Sequence, residues 1–419
     1  MRYIKLLITA AIVIFYMLAL IVDRLAGVIF GFLLLFSLIC LAFRNRLENK
    51  SLGEFTREYW PLNLAMCGPI IAVFANQIGT GHFAGRTYDS PVRLALFFLI
   101  FWSLSLLPTK HMKQVQWGLI IGAFLAAIKI HVLSHGGTTR YGTDFIPIII
   151  FSELTLLLGI FAALSIAWND RSSKIVFFFK IAALCAGLYA AYLSQSRGVW
   201  LTILVFVVIA GMVAKNIRSS HKLAAAVVFA ILVGAVSYFG AIVKDRVSNA
   251  ENDISAYSVG ANVDTSLGIR LQLWRGSWVM FREHPVFGVG VENFPKALGN
   301  LAERKIITPV SATFPHSHND ILFMMSKLGT FGLLAILVLY FVPVYYFCRE
   351  IRDDDSETRY TAAMGLMLCL GFFTLGLVDV VFLWWEIFPY YVISIAFFLS
   401  YVIRRKKELH ERQLPGLDY

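Results

Sequence analysis

Long apolar runs recur along almost the whole 419-residue chain, and they restrict it to a membrane-spanning helical fold. Most are about 17 residues or longer, which lets a helix cross a hydrocarbon core of about 30 Å. Lipid offers the backbone no hydrogen-bond partner, so such runs cross a membrane as helices. We predict twelve spans, near 4–22, 25–43, 59–77, 92–107, 114–134, 146–168, 174–194, 199–215, 222–243, 322–348, 359–379 and 384–403.

The distribution of basic residues predicts the orientation of these spans. Cytoplasmic loops carry an excess of Lys and Arg, and most of these residues lie on one side if the N-terminus is cytoplasmic. The short loops on the other side then hold Arg24, Arg86, Arg93, Arg140 and Arg197. Both termini are therefore predicted to be cytoplasmic. The net charge of +11 follows from this topology and gives no reason to expect a nucleic-acid partner.

The connection at 243–321 is the one long loop, and it divides the chain. We predict transmembrane helices 1–9 in 1–242, an external helical loop domain in 243–321, helices 10–12 in 322–404 and a cytoplasmic tail in 405–419. Within the loop, "LGIRLQLWRGSWVMFREHP" (267–285) has helical apolar spacing, and a second helix is predicted at 294–305. These helices form a cap that we expect to lie partly on the membrane surface.

Arginines on the outer side are candidate anion ligands. Arg197 lies in "SQSRGVW", a tight turn between two spans, and its planar fork suits phosphate oxygens. Arg270 and Arg275 lie on the predicted cap helix, five residues apart, and therefore point to different faces. For each of them the alternative is an interfacial side chain whose charged end reaches the lipid headgroups.

Two histidines, His316 and His318, precede the tenth span in "TFPHSHNDILFMM" (313–325). They could ligate a metal, transfer a proton or lie at the interface while Ser317 or Asn319 caps the span. Helical residues two apart point about 200° from each other, so only an extended segment lets both bind one ion. The lack of other histidines with paired spacing also argues against a metal site, and we expect none.

Two further ionisable residues lie near this entry in the predicted topology. Lys327 lies about two turns into the tenth span, and Asp379 closes the eleventh span in "GLVDV". Asp379 could orient a histidine or an arginine, or be only a helix-end carboxylate. The outer set suits an anionic lipid head with a leaving phosphate and a hydroxyl to activate. It contains no Ser or Cys beside a base in a strained turn, as a nucleophilic triad requires.

Five motifs, in this order, make the whole chain resemble the bacterial O-antigen ligases, within a group that also holds O-antigen polymerases and protein O-oligosaccharyltransferases. They are "SQSRGVW", "TSLGIRLQLW", "HPVFGVGVENF", "HSHNDILFMMSKLGTFGLL" and "GLVDV". The resemblance implies an all-α integral membrane protein, GT-C-like, with about twelve transmembrane helices and a helical periplasmic loop domain before helix 10. It also implies the bacterial inner membrane, with the active site on the periplasmic face.

The family's reaction moves a glycan from undecaprenyl diphosphate to a terminal sugar of lipid A–core. The implied partners are the lipid-linked O-antigen, lipid A–core and membrane lipid, with no cofactor and no metal. Carried across, the functional arginines fall on Arg197 and Arg270, the histidine on His318 and the acid on Asp379. Relatives are less consistent at the remaining predicted substrate contacts, which are Arg275, His316 and Lys327.

Two other functions remain possible at this stage. A polymerase would use the same donor but extend a second lipid-linked glycan, and "TSLGIRLQLW" together with the HxHN placement favours the ligase. A transporter would need a polar path at mid-membrane with charges in several spans. The interior charges are few (Lys129, Lys180 and Lys327), and the polar set collects at one face.

Overall fold

The structure is a computed structural model, and it describes residues 2–42, 51–139, 143–169, 173–214 and 263–413, without the side chains of Arg2 and Arg197. The predicted span 222–243, the beginning of the external loop and the last residues of the tail lie outside the described residues. Those that are described form helices joined by short connections, with no β-strand among them.

The described α-helices are numbered here in chain order. They are α1 (Arg2–Leu18), α2 (Leu25–Ala42), α3 (Leu52–Glu58), α4 (Trp60–Thr80), α5 (Asp89–Ala95), α6 (Phe97–Ser105), α7 (Thr109–Met112), α8 (Val115–Leu133), α9 (Ile148–Leu164), α10 (Lys174–Leu193), α11 (Arg197–Val213), α12 (Ser266–Glu283), α13 (Phe294–Glu303), α14 (Pro309–Ala312), α15 (Asp320–Glu350), α16 (Ser356–Gly376) and α17 (Ile387–Gln413).

The described helices agree with the prediction of an all-α integral membrane protein. Eight segments in the described ranges are long and apolar enough to cross a membrane, and α1 and α11 contain shorter apolar helices. Every predicted span except 222–243 coincides with described helices, but the count of twelve is not reached. The predicted span 92–107 is divided into α5 and α6 at Leu96, and α17 continues past the predicted start of the tail at 405.

Glycines allow several of these helices to pack in direct backbone contact. A Cβ on Gly118 or Gly122 of α8 would collide with the carbonyl oxygens of Val13 and Tyr16 on α1. Small residues four apart on one helix face permit this close approach in membranes, where packing rather than hydrophobicity drives association. The spacing Gly-x-x-x-Gly therefore fixes how α1 and α8 pack.

Helix α15 is divided by Gly329, which was not predicted. Gly329 has φ 63° and ψ −148°, far from helical values. In a straight helix Asp320 and Tyr340 would be about 30 Å apart, at 1.5 Å per residue. The Tyr340 hydroxyl nevertheless donates to Asp320 Oδ2 at 2.6 Å. The arms on either side of Gly329 therefore fold back against each other, and the tenth predicted span is not one straight helix.

The Gly-rich connection between α12 and α13 fills the break in α15. Val289 N–H donates to Ser326 O at 3.0 Å, and Gly290 N–H donates to Lys327 O at 2.9 Å. These bonds satisfy carbonyls that lack a helical partner at the break. A Cβ on Gly329 would collide with Val286 O, so the positive φ and the close backbone approach both require glycine. The cap is thereby attached to the bundle next to the predicted site.

Candidate active site

The segment before α15 holds both histidines in a turn. Residues 314–319 are not helical, and His318 has a φ of 51°, in the left-handed region that non-glycine residues rarely adopt. The His318 N–H donates to His316 Nδ1 at 3.3 Å, and the two ring centroids are 4.3 Å apart. In a helix the two rings would point apart, but this segment is not helical. They lie together because the positive φ turns the chain between them.

His318 and Asp379 form a hydrogen-bonded pair. His318 Nδ1 lies 3.2 Å from Asp379 Oδ1, which also accepts the Val380 N–H at 2.8 Å. Burial alone would raise the pKa of Asp379, but the bonds from His318 and Val380 outweigh it and hold the pKa below its ordinary value. In the neutral form of His318, the Nδ1–H donates a hydrogen bond to the ionised Asp379. The other ring nitrogen, Nε2, is then left as a proton acceptor.

The amino end of α15 fixes the position of Asp379. Asn319 is the N-cap residue, and its Oδ1 accepts the Leu322 N–H at 2.9 Å. Its Nδ2 donates to Leu377 O at 3.0 Å. The Asn after His318 therefore caps α15, as one sequence alternative proposed, and also ties the helix to the segment that carries Asp379.

His316 is half-buried and remains neutral near pH 7. Burial lowers its pKa to about 4, with smaller contributions from His318 and from the charge of Arg270, while Asp379 opposes them. Since its Nδ1 accepts the His318 N–H, the neutral ring carries its proton on Nε2. His316 is therefore a hydrogen-bond donor beside the His318 ring rather than a second cation.

The arginines of α12 differ as their five-residue spacing predicts. Arg270 is half-buried and acts electrostatically on His316, whereas Arg275 is exposed. Among the described residues, no carboxylate forms an ion pair with Arg270, Arg275 or Lys327. Arg270 thus brings an uncompensated positive charge towards the histidines, and Arg275 faces away from the buried side of α12.

Arg197 begins α11, but its side chain lies outside the described part of the structure. The backbone before it turns sharply, with Gln195 at a φ of 50°. A Cβ on Gly198 would lie 2.8 Å from Val378 Cγ2, so this turn packs closely against the residue before Asp379. The backbone of Arg197 is therefore near the predicted site.

Lys327 lies in the first arm of α15. Its Nζ is 4.3 Å from the centroid of the Phe323 ring, and that ring lies 6.5 Å from the ring of His316. Lys327 and His316 thus both lie near the Phe323 ring, and no described hydrogen bond joins the ammonium group to the histidines. The break in α15 at Gly329, two residues after Lys327, was not predicted either. Glycine inside an apolar run is a signal of such a break.

Three of these side chains have the spacing of a metal site. His316, His318 and Asp379 offer ligand atoms that all lie within 4.8 Å of one another. In the present arrangement both Nδ1 atoms and Asp379 Oδ1 form hydrogen bonds within the group. An ion could still bind both Nε2 atoms or replace these bonds. The sequence argument against a shared ion therefore loses its geometric basis, and the absence of a metal stays a prediction.

Asp320, the residue after Asn319, is a buried carboxylate that was not predicted as a site residue. It is 1% exposed and receives bonds from Tyr340 at 2.6 Å and from Val381 N–H at 3.1 Å. A carboxylate at the start of an apolar run is itself a signal, since burial of a charge needs a reason.

Comparisons with known proteins agree with the motifs. A family model described as O-antigen ligase matches residues 181–337, which include every predicted site residue except Asp379. An O-antigen ligase of Escherichia coli K12 is 25% identical over 389 residues, covering 89% of this chain and 87% of that protein. An uncharacterized protein of Haemophilus influenzae is 25% identical over 194 residues, or 45% of this chain. That match spans just under half, 48%, of the Haemophilus protein.

Proposed function

We propose that this chain, a multi-pass inner-membrane protein of the O-antigen ligase superfamily, transfers O-antigen glycan from undecaprenyl diphosphate to the terminal sugar of lipid A–core. The product is lipopolysaccharide. The observation that carries the proposal is the His318–Asp379 pair, which leaves His318 Nε2 as a base next to His316, the ring on which the charge of Arg270 acts. We place this site on the periplasmic face, with both termini in the cytoplasm.

His318 is proposed as the general base of a single displacement. Its Nε2 accepts the proton of the acceptor hydroxyl as that oxygen attacks C1 of the donor sugar. Asp379 keeps the proton on Nδ1 and stabilises the imidazolium that forms. The bond from C1 to the acceptor oxygen forms while the bond from C1 to the diphosphate oxygen breaks. Attack from the opposite side inverts the configuration at C1.

Arginines are proposed to stabilise the leaving group. Undecaprenyl diphosphate departs with the electron pair of the broken bond, so negative charge grows on its phosphate oxygens. Arg270 and Arg197 can share this charge through charge-assisted hydrogen bonds. His316 can donate from Nε2 to a substrate oxygen at the same site. Lys327 is proposed as a further phosphate contact, reached once its side chain leaves the Phe323 ring.

The proposed mechanism uses no metal. The arginines supply the cationic stabilisation that a divalent ion would otherwise provide. Since His316, His318 and Asp379 have metal-ligand spacing, this point needs its own test. Transfer by purified protein is expected to persist in excess chelator. Loss of transfer in chelator, restored by one divalent ion, would replace the arginine mechanism with a metal-assisted one.

The acceptor decides between the ligase and its relatives. Purified full-length protein would be given labelled undecaprenyl-diphosphate O-antigen with either lipid A–core or a second lipid-linked glycan as sole acceptor, and His318→Ala would serve as the inactive control. We expect label on lipid A–core. Label that appears only in longer lipid-linked glycan would indicate a polymerase. Movement of the donor across proteoliposomes without any transfer would indicate a transporter.

A further inference from the structure

We propose that Asp320 is a positioning residue that holds Asp379 against His318, and that Tyr340 fixes Asp320 in turn. This inference rests on the proposed function, since it concerns the same site. Asp320 is the first residue of α15 and lies two residues after His318, but it touches neither His318 nor Asp379 by any hydrogen bond in the described structure. It acts instead through the backbone of the segment 377–381.

That segment is attached to α15 on both sides of Asp379. On one side, Asn319 Nδ2 donates to Leu377 O at 3.0 Å. On the other side, Val381 N–H donates to Asp320 Oδ2 at 3.1 Å. Asp379 lies between these two bonds and His318 lies directly before Asn319. The two adjacent residues at the start of α15 thus set the distance between base and carboxylate.

Tyr340 makes Asp320 a fixed point. Its hydroxyl donates to Asp320 Oδ2 at 2.6 Å, and both side chains are buried, at 0% and 1% exposure. This bond joins the two arms of α15 across the break at Gly329. The Cβ that Gly376 lacks would lie 2.9 Å from Asp320 Oδ2, so the end of α16 also packs against the pair. The position of Asp320, and through it that of Asp379, is therefore fixed by contact with the long second arm of α15.

The second carboxylate oxygen of Asp320, Oδ1, makes it possible to remove the charge of Asp320 without removing its two hydrogen bonds. Oδ1 is buried and has no partner in good hydrogen-bond geometry among the described residues, although the Phe382 N–H also interacts with this carboxyl group. In Asp320→Asn the amide nitrogen can take the place of Oδ1 while the amide oxygen accepts from Tyr340 and Val381. Both observed bonds survive in that variant. Asp320→Ala removes both, and Tyr340→Phe removes only the bond between the arms.

The test compares these variants in the purified full-length protein. For Asp320→Ala we expect kcat of transfer to fall about 10²-fold, as for a misplacement of about 1 Å, with the KM of donor and acceptor changed less than about threefold. Asp320→Asn should retain kcat within about threefold, since it keeps both bonds. Tyr340→Phe should fall between them. An Asp320→Asn variant as impaired as Asp320→Ala would overturn the proposal, because charge rather than position would then matter.

Two further measurements distinguish failure of the Asp320 inference from failure of the proposed function. Asp320→Ala should add little to the loss caused by Asp379→Ala if it acts through Asp379, whereas fully multiplied losses would contradict the inference. Amide exchange of the peptide 377–383, followed by mass spectrometry, should be faster in Asp320→Ala and unchanged in Asp320→Asn. Equal exchange in all variants would also contradict it. A wild-type protein that transfers no glycan would refute the proposed function, and the exchange comparison would still decide the role of Asp320.

Discussion

Two ionic clusters lie at opposite ends of α16, and they are built differently. In its first turn, Glu357 is buried at 1% exposure, with Lys113 Nζ at 2.7 Å and Arg405 Nη1 at 3.4 Å from Oε1. The Tyr401 hydroxyl donates to Oε2 at 2.8 Å. Past its last residue lie Asp379 and His318, with Arg270 nearby but in no described ion pair.

We interpret this difference as one between a structural cluster and the proposed catalytic one. Every charged group around Glu357 has a counter-charge inside the protein, so the cluster is complete without a ligand. The site around His318 is not complete in this sense, because Arg270 has no ion-pair partner among the described residues. A cation without a counter-charge beside a candidate base is an arrangement that an anionic substrate would complete. Variants at the two ends should therefore change different quantities.

After loss of the proposed base His318 itself, the largest predicted effect on transfer is that of Asp379→Asn. The change removes the negative charge that holds the His318 proton on Nδ1, and the rate should fall about 10³–10⁴-fold. The thermal unfolding temperature should change little, because the amide can still bond Val380. Initial rates and unfolding curves on the same preparation check this. A near-normal rate would remove Asp379 from the mechanism.

Arg270→Ala is predicted to have the next largest effect, and Arg275→Ala is its matched control on the same helix. Loss of one cationic contact to the leaving group should lower the rate about 10²–10³-fold. The exposed Arg275 should change it only about twofold, since exposed substitutions alter free energies by about 0.5 kcal/mol. Steady-state kinetics at saturating acceptor distinguish them. Equal losses of transfer rate in the two variants would contradict the assignment of the half-buried Arg270, rather than the exposed Arg275, as the phosphate ligand.

Glu357→Gln should lower the stability of the fold and leave the transfer activity unchanged, the opposite of what is expected for Asp379→Asn and Arg270→Ala. It leaves Lys113 and Arg405 with less counter-charge and should destabilise the fold by on the order of 3 kcal/mol. The specific activity of the protein that remains folded should match the wild type. Thermal unfolding in detergent, followed by transfer assays corrected for folded protein, measures both quantities. A selective loss of activity would link the two clusters and contradict their separation.

His316→Asn should have the smallest effect at neutral pH and a visible one in acid. Since the pKa of His316 is lowered to about 4 from an ordinary value of 6.5, the folded protein resists its protonation. This group contributes stability above pH 6.5 that is lost as the pH falls towards 4. His316→Asn should make the unfolding temperature less sensitive to pH in that window. An unchanged pH dependence would show that His316 is not kept neutral by its surroundings.

Much of the fold follows from sequence because hydrophobic length is a local property. The helices, the cap helix at α12 and the second cap helix at α13 are encoded by residue patterns within each segment. Comparison with relatives supports the superfamily assignment that the motifs predicted. The fold-back of α15 at Gly329 was not predicted because it depends on distant residues. Residues 285–290 supply hydrogen bonds that the helix loses at this break.

The site shows the same limit. The pairing of His318 with Asp379 was proposed from sequence as one of several possibilities, and the structure places them in contact. The adjacency of His316 to His318 could not be predicted, since it depends on a positive φ in a turn. Asp320 was not predicted because its hydrogen-bond partners, Tyr340 and Val381, are distant in sequence.

The most direct test of the central claim compares His318→Ala with Glu357→Gln in one transfer assay. Both purified variants would receive labelled undecaprenyl-diphosphate O-antigen and lipid A–core, with unfolding temperature recorded for each. We predict that His318→Ala is folded and loses transfer by about 10²–10⁴-fold, the contribution of a general base, while folded Glu357→Gln transfers normally. Wild-type transfer rates in folded His318→Ala would contradict the account.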